Sequence, residues 1–267
     1  MKPPRPRLYP LLALFSALLL LSLGVAPATG PSHWTQVNGH PLHYLRYGSG
    51  TPVLLLHGGG DSGAHSFARQ LDELVAAGHE VIAPDQVGQG ETPALPGPLS
   101  YTAMMEDTAA LLGQLDLGPV DAVGFSDGGI LALMLAVHHP RLLRRLVVSG
   151  VNISPAGLPK SDLDDMREDS AAAADSDAPP TLADKLRELW LNAPTARELS
   201  PQLLAGIQQP VLVMAGDHDA VRLDHILAIF HALPHGELFI VPGTGHGTFR
   251  SRPDWVNPVL LNFLDRV

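Results

Sequence analysis

Apolar residues fall in short unbroken runs separated by stretches of helical spacing. Val53–Leu56, Val81–Ala83, Val120–Phe125, Leu146–Ser149, Val211–Ala215 and Leu238–Val241 are such runs. They lack inside–outside alternation, the pattern of strands buried on both faces. Between them, Phe67, Leu71, Leu74 and Val75 share one helical face, and Met104, Thr108, Leu111, Leu112 and Leu115 share another. Leu131–Val137 suits a helix buried nearly all round, and Trp255–Val267 reads as a closing helix with Pro258 in its first turns. Ahead of the first run, Thr35–Val37 and Leu42–Tyr47 flank Asn38-Gly39, a hairpin signal. Strands alternating with helices predict an α/β domain over 29–267, with a mostly parallel central sheet flanked by helices. Ligands on such a sheet bind at the carboxyl ends of the strands.

One stretch breaks the rhythm. No strand pattern appears from Asn152 to Leu204. Asp162–Asp177 carry seven acids against one arginine, then Pro179-Pro180 precede a short helical pattern over Leu182–Leu191. This segment, about 152–204, reads as a short inserted lid over the sheet or as a solvated insertion.

The candidate chemistry lies just after the strand runs. Gly124-Phe125-Ser126-Asp127-Gly128 fits G-x-S-x-G, following one strand pattern and opening a helix. That turn lifts a serine above the sheet edge and needs small flanking residues. Ser126 is the expected nucleophile. His57-Gly58-Gly59-Gly60 follows Val53–Leu56. Its glycines would let the Gly59 N–H join the Asp127 N–H in an oxyanion hole, while His57 braces the loop.

A serine needs a base, and position must choose among 13 histidines. His246 sits in Gly243-Thr244-Gly245-His246-Gly247 after the last strand run, at the same sheet edge as Ser126. His138 and His139 end the helix after the serine, and His40, His43 and His79 are expected at the opposite end of the strands. A carboxylate must then fix the histidine's tautomer. Asp219 is the expected acid, with Asp217 as runner-up, both in Gly216-Asp217-His218-Asp219. Phe125 is a candidate substrate-binding residue.

The order Ser126, Asp219, His246 resembles that of the α/β-hydrolase family, and the resemblance runs from about Trp34 to Val267. Pro84–Thr92 looks like the family's turn after the second parallel strand. The Ser-Asp-Gly-Gly elbow is similar to esterase-like members, and to valacyclovir-hydrolase-like enzymes in which the acid after the serine helps bind an amino group, a resemblance that implies a substrate-binding role for Asp127. The resemblance implies a serine hydrolase cleaving a carboxylic ester through an acyl-enzyme, with no metal or other cofactor. Thioester, amide, lactone or carbon–carbon bond hydrolysis and perhydrolase chemistry fit the same triad. A degenerate hydrolase used as a binding module is the non-enzymatic alternative. Serine at the elbow argues against haloalkane dehalogenase and epoxide hydrolase chemistry, which in this family resembles an aspartate-nucleophile design.

Composition and charge narrow the partners. With 267 residues the chain can bury a sizeable core, and it has no cysteine. Disulfides and thiolate chemistry are therefore excluded. Lys2, Arg5 and Arg7, then Leu11–Leu23, then Ala26-Pro27-Ala28, make a signal-peptide pattern over residues 1–28. Export to the periplasm or medium is expected, with a membrane anchor if the segment is uncleaved. Loss of those three cations takes the formal charge from −10 to −13. So acidic a chain repels nucleic acid, which leaves a small molecule as the expected partner.

Overall fold

The computed structural model describes residues 31–195 and 197–266; the Met1–Ala28 leader pattern lies outside them. The described strands are β1 (Ser32–Val37), β2 (His40–Gly48), β3 (Thr51–Leu56), β4 (His79–Pro84), β5 (Val120–Phe125), β6 (Leu143–Ser149), β7 (Val211–Gly216) and β8 (Gly236–Val241). They form one sheet in the order β1-β2-β4-β3-β5-β6-β7-β8. β1 and β2 pair antiparallel, as does β2 with β4, and all other neighbours are parallel. Asn38 and Gly39 make the β1–β2 turn with φ of 44° and 92°, the left-handed backbone that such two-residue turns require.

Both faces of the sheet are covered, which is why its strands do not alternate. Leu54 and Leu56 of β3 pack with Ile82, Ala122 and Leu146 beneath one layer of helices. Val53 and Leu55, their neighbours in sequence, pack with Val81, Val123, Val147 and Phe67 on the other face. Successive side chains of a strand point to opposite faces, so a strand buried twice must be apolar throughout.

The helices are α1 (Gly63–Ser66), α2 (Leu71–Ala76), α3 (Tyr101–Leu115), α4 (Asp127–His138), α5 (Lys160–Ala174), α6 (Leu182–Asn192), α7 (Pro201–Leu204), α8 (Leu223–Ala232), α9 (Thr248–Ser251) and α10 (Pro253–Leu264). None of the described helices is long and apolar enough to cross a membrane. α4 is buried from Asp127 to Ala136, as its unbroken apolar sequence requires. α10 starts at Pro253, two residues before the predicted start, and keeps Pro258 inside it.

The structure departs from the sequence reading in three places. Phe67, Leu71, Leu74 and Val75 do not share one helix: the chain turns at Phe67–Gln70 between α1 and α2. The acidic stretch is helical, as α5. Its charges face solvent, where Lys160 pairs with Asp164 one turn on, while Leu163 and Met166 are buried. Third, His43 is not at the far end of the strands. β2 runs against β4, so His43 lies beside the carboxyl end of β4, where its Nδ1 is 2.8 Å from Asp85 Oδ2.

Candidate active site

β5 ends at Phe125 and α4 begins at Asp127, leaving Ser126 alone to turn the chain. Its φ of 52° and ψ of −119° lie in a region that ordinary residues avoid, at a cost of about 1–3 kcal/mol. The turn is held by the Ser126 N–H, which donates to Ser149 O at 2.8 Å, and by Ser126 O, which accepts from Gly129 N–H at 2.8 Å. Glycine is required on both sides. A Cβ on Gly128 would overlap the Leu56 carbonyl, and one on Gly124 would overlap Gly128 O. α4 therefore packs backbone to backbone against β3.

Two further strand ends deliver the partners. His246, in the loop after β8, has Nε2 3.0 Å from Ser126 Oγ and Nδ1 2.7 Å from Asp219 Oδ1. Asp219, after β7, also accepts from Val221 N–H at 3.0 Å and Gly216 N–H at 3.2 Å. Burial alone would raise its pKa. The charge and hydrogen bond of His246, together with those two N–H groups, outweigh burial and lower it. Asp217 instead accepts from Thr244 N–H at 3.1 Å. Glycines permit this convergence: a Cβ on Gly150 would lie 2.7 Å from the His246 ring, and one on Gly216 would overlap the Thr244 and Gly245 carbonyls.

The glycine loop after β3 is braced from the loop after β4. His57 Nε2 accepts from Gln86 N–H at 2.9 Å, so its Nδ1 carries the proton and donates to Gly58 O at 2.7 Å. Gln89 Oε1 accepts from Gly60 N–H at 2.6 Å, and Gly58 O accepts from Asp61 N–H at 3.2 Å. Among the described residues, no group accepts from the Gly59 N–H or the Asp127 N–H. Two free N–H donors beside a serine can receive an oxyanion.

A cavity of about 360 Å³ opens over these groups. Ser126, His246, Gly59 and Phe125 line it, together with Leu158 and Trp190 from the segment between β6 and β7. That segment thus supplies part of the cavity wall. The Phe125 ring lies 5.0 Å from that of His246. Asn152, which follows β6, lines the cavity too and donates to Ser154 O at 3.1 Å.

Several lining or supporting residues have no signal in the sequence: Asp61, His65, Arg250, Trp190 and Tyr101. Asp61 accepts from His65 Nδ1 at 2.7 Å and from Ser66 Oγ at 2.8 Å, and pairs with Arg250 of α9. Burial would raise its pKa; the bonds from His65 and Ser66 and the nearby charges of Arg250 and His65 bring it from 3.8 to about 2. A depressed carboxylate stabilises the fold above its unfolded pKa, and that contribution disappears as pH falls through the folded one. Asp61→Asn is therefore expected to destabilise the protein on the order of 2 kcal/mol at pH 7. The gap to wild type should close between about pH 4 and pH 2, as followed by urea unfolding across that range. A gap independent of pH would refute the assignment.

The profile of the alpha/beta hydrolase family matches residues 53–259. BpoC of Mycobacterium tuberculosis, which carries the name of a non-heme bromoperoxidase, is 29% identical over 260 residues, covering 85% of this chain and 98% of that protein. Epoxide hydrolase 1 of Siraitia grosvenorii is 37% identical over 132 residues, 49% of this chain and 42% of that enzyme. Among solved structures, an esterase of Exiguobacterium antarcticum superposes with a TM-score of 0.75 at 21% identity, over 89% of this chain and 100% of that one. At that identity the likeness is one of fold.

Proposed function

The chain belongs to the alpha/beta hydrolase family, and from that premise we propose that it is a serine hydrolase cleaving a carboxylic ester of a small or medium substrate. The observation that carries this reading is the His246 ring, which spans Ser126 Oγ and Asp219 Oδ1 at hydrogen-bond distance beneath a cavity. His246 Nε2 takes the hydroxyl proton as Ser126 Oγ attacks the ester carbonyl. Asp219 holds the Nδ1–H and stabilises the imidazolium. The Gly59 and Asp127 N–H groups receive the oxyanion, where one donor is typically worth about 3–4 kcal/mol. His246 then protonates the leaving alcohol, and water deacylates Ser126 by the same route. Every proton is passed by His246, so the scheme calls on no cofactor. A cavity of about 360 Å³ is near the lower end of small-molecule sites, roughly 300–1,000 Å³, which favours short acyl groups.

The likeness to an epoxide hydrolase does not extend to the nucleophile, because the elbow carries a hydroxyl. The likeness to BpoC supports a second reading on the same acyl-enzyme. Hydrogen peroxide in place of water would attack the acyl carbonyl and leave as a peracid, which could oxidise bromide. Export, carried by the Met1–Ala28 pattern, completes the proposal.

A panel of p-nitrophenyl esters from acetyl to palmitoyl tests it. Turnover is expected for the short members, with a fluorophosphonate labelling Ser126. An inert but labelled protein would move the reading to another acyl substrate. An inert, unlabelled one would favour the binding-module alternative. Peracid formation from the preferred ester and peroxide, measured beside hydrolysis, separates the second reading from the first.

A further inference from the structure

The proposed chemistry uses only the backbone N–H of Asp127. Yet its side chain is buried and its carboxylate accepts from two side-chain donors. Tyr101 Oη, at the start of α3, donates to Oδ1 at 2.9 Å. Trp190 Nε1, near the end of α6, donates to Oδ1 at 3.0 Å and Oδ2 at 3.1 Å. The third neighbour is the glycine loop. A Cβ on Gly59 would overlap Asp127 Oδ2 and lie 3.0 Å from Trp190 Cζ2. One carboxylate therefore ties together the elbow, the glycine loop, α3 and α6, whose Trp190 lines the cavity.

Burying a carboxylate is costly unless it is hydrogen-bonded, and burial does push this one's pKa up, against the bonds from Trp190 and Tyr101 and the charges of His57 and His246. An apolar residue at this position would supply the same backbone N–H without that cost. The side chain must be retained for what it holds. The N–H groups of Gly59 and Asp127 have no acceptor among the described residues, and both residues line the cavity and meet at this carboxylate. Errors of about 1 Å in such a pair can cost roughly a hundredfold in rate.

Resting on the serine-hydrolase reading, we infer that Trp190 and Tyr101 are positioning residues that set the oxyanion hole through the Asp127 carboxylate, so that the acyl site takes neutral rather than cationic groups. Tyr101 on Oδ1, Trp190 across both oxygens and Gly59 against Oδ2 occupy positions that an ammonium group would need. The arrangement also couples α6 to the proposed chemistry. Displacing α6 would withdraw Trp190 and leave a buried charge short of a donor beside the oxyanion.

The test uses Trp190→Phe, which keeps a ring but loses the N–H, Tyr101→Phe, which loses only the hydroxyl, the double variant, and Asp127→Asn. Each is assayed on p-nitrophenyl butyrate and p-nitrophenyl 2-aminobutyrate, with the rate of Ser126 phosphonylation alongside. Each single Phe variant is expected to lower kcat and the phosphonylation rate about tenfold to a hundredfold, with KM held within about threefold. The double variant should lose less than the product of the two, because both donors act through one carboxylate. Wild type should prefer butyrate, and Asp127→Asn should lose rate on both esters without changing that preference. A rise in KM at constant kcat in Trp190→Phe would make the indole a mere pocket wall and overturn the inference. Preference of wild type for the amino ester, abolished by Asp127→Asn, would overturn it in favour of a cation subsite. Should Trp190→Phe fail to fold, Tyr101→Phe carries the same split of kcat from KM. Unimpaired turnover by Ser126→Ala would mark failure of the underlying reading instead, and the inference would fall with it.

Discussion

Ser126→Ala is expected to lower kcat for the preferred p-nitrophenyl ester by about 10⁴-fold or more, and His246→Ala by a similar factor. Ser126 Oγ is the hydroxyl within reach of the His246 ring in this cavity, and its backbone turn lifts it above the sheet edge. Without His246 the hydroxyl keeps its proton and is a weak nucleophile; without Ser126 the ring has nothing to activate. The two act as one unit, so the double variant should be no worse than either single one. The residual rate would come from binding and the oxyanion donors. Stopped assays with active-site titration check this, and a Ser126→Ala enzyme retaining a tenth of wild-type kcat would remove the proposed mechanism.

Asp219→Asn is expected to cost about 10³–10⁴-fold in kcat, whereas Asp217→Asn should change it by less than about threefold. Both acids follow β7 within three residues of Gly216, so the contrast tests position and not composition. Asp219 accepts from His246 Nδ1, Gly216 N–H and Val221 N–H. An amide there would turn an NH₂ toward one of those donors and no longer fix the tautomer that leaves Nε2 free to accept. The lowered pKa of Asp219 keeps it ionised at neutral pH. Its contribution to stability is therefore present above the unfolded pKa and declines only as pH falls through the folded one. Equal losses from the two substitutions would assign the acid to neither alone.

Much of this protein could be read from the chain because the signals are local. Five residues around Ser126 specify the elbow: the turn admits only glycine where backbone meets backbone, at Gly124 and Gly128. Apolar runs without alternation specify a sheet covered twice, and strands that all run one way bring their following loops to one edge. Hence Gly59, Ser126, Asp219 and His246 could be placed together before any distance was known.

The tertiary structure decided what depends on direction and on long separations. His43 reads as remote from the site until β2 is seen to run against β4. The acids of Asp162–Asp177 leave lid and solvated insertion undecided in the sequence, because their helix buries little more than Leu163 and Met166. Trp190 and Tyr101 meet Asp127 from 63 and 26 residues away, and Arg250 meets Asp61 from 189. No periodicity marks such pairs, since each residue suits its own helix or loop equally well without its partner. The alternation of strands and helices, and the candidate residues at each strand end, were legible in the sequence alone. Which side chains close around that chemistry was decided by packing, because burying the Asp127 carboxylate is tolerable only where distant donors arrive together.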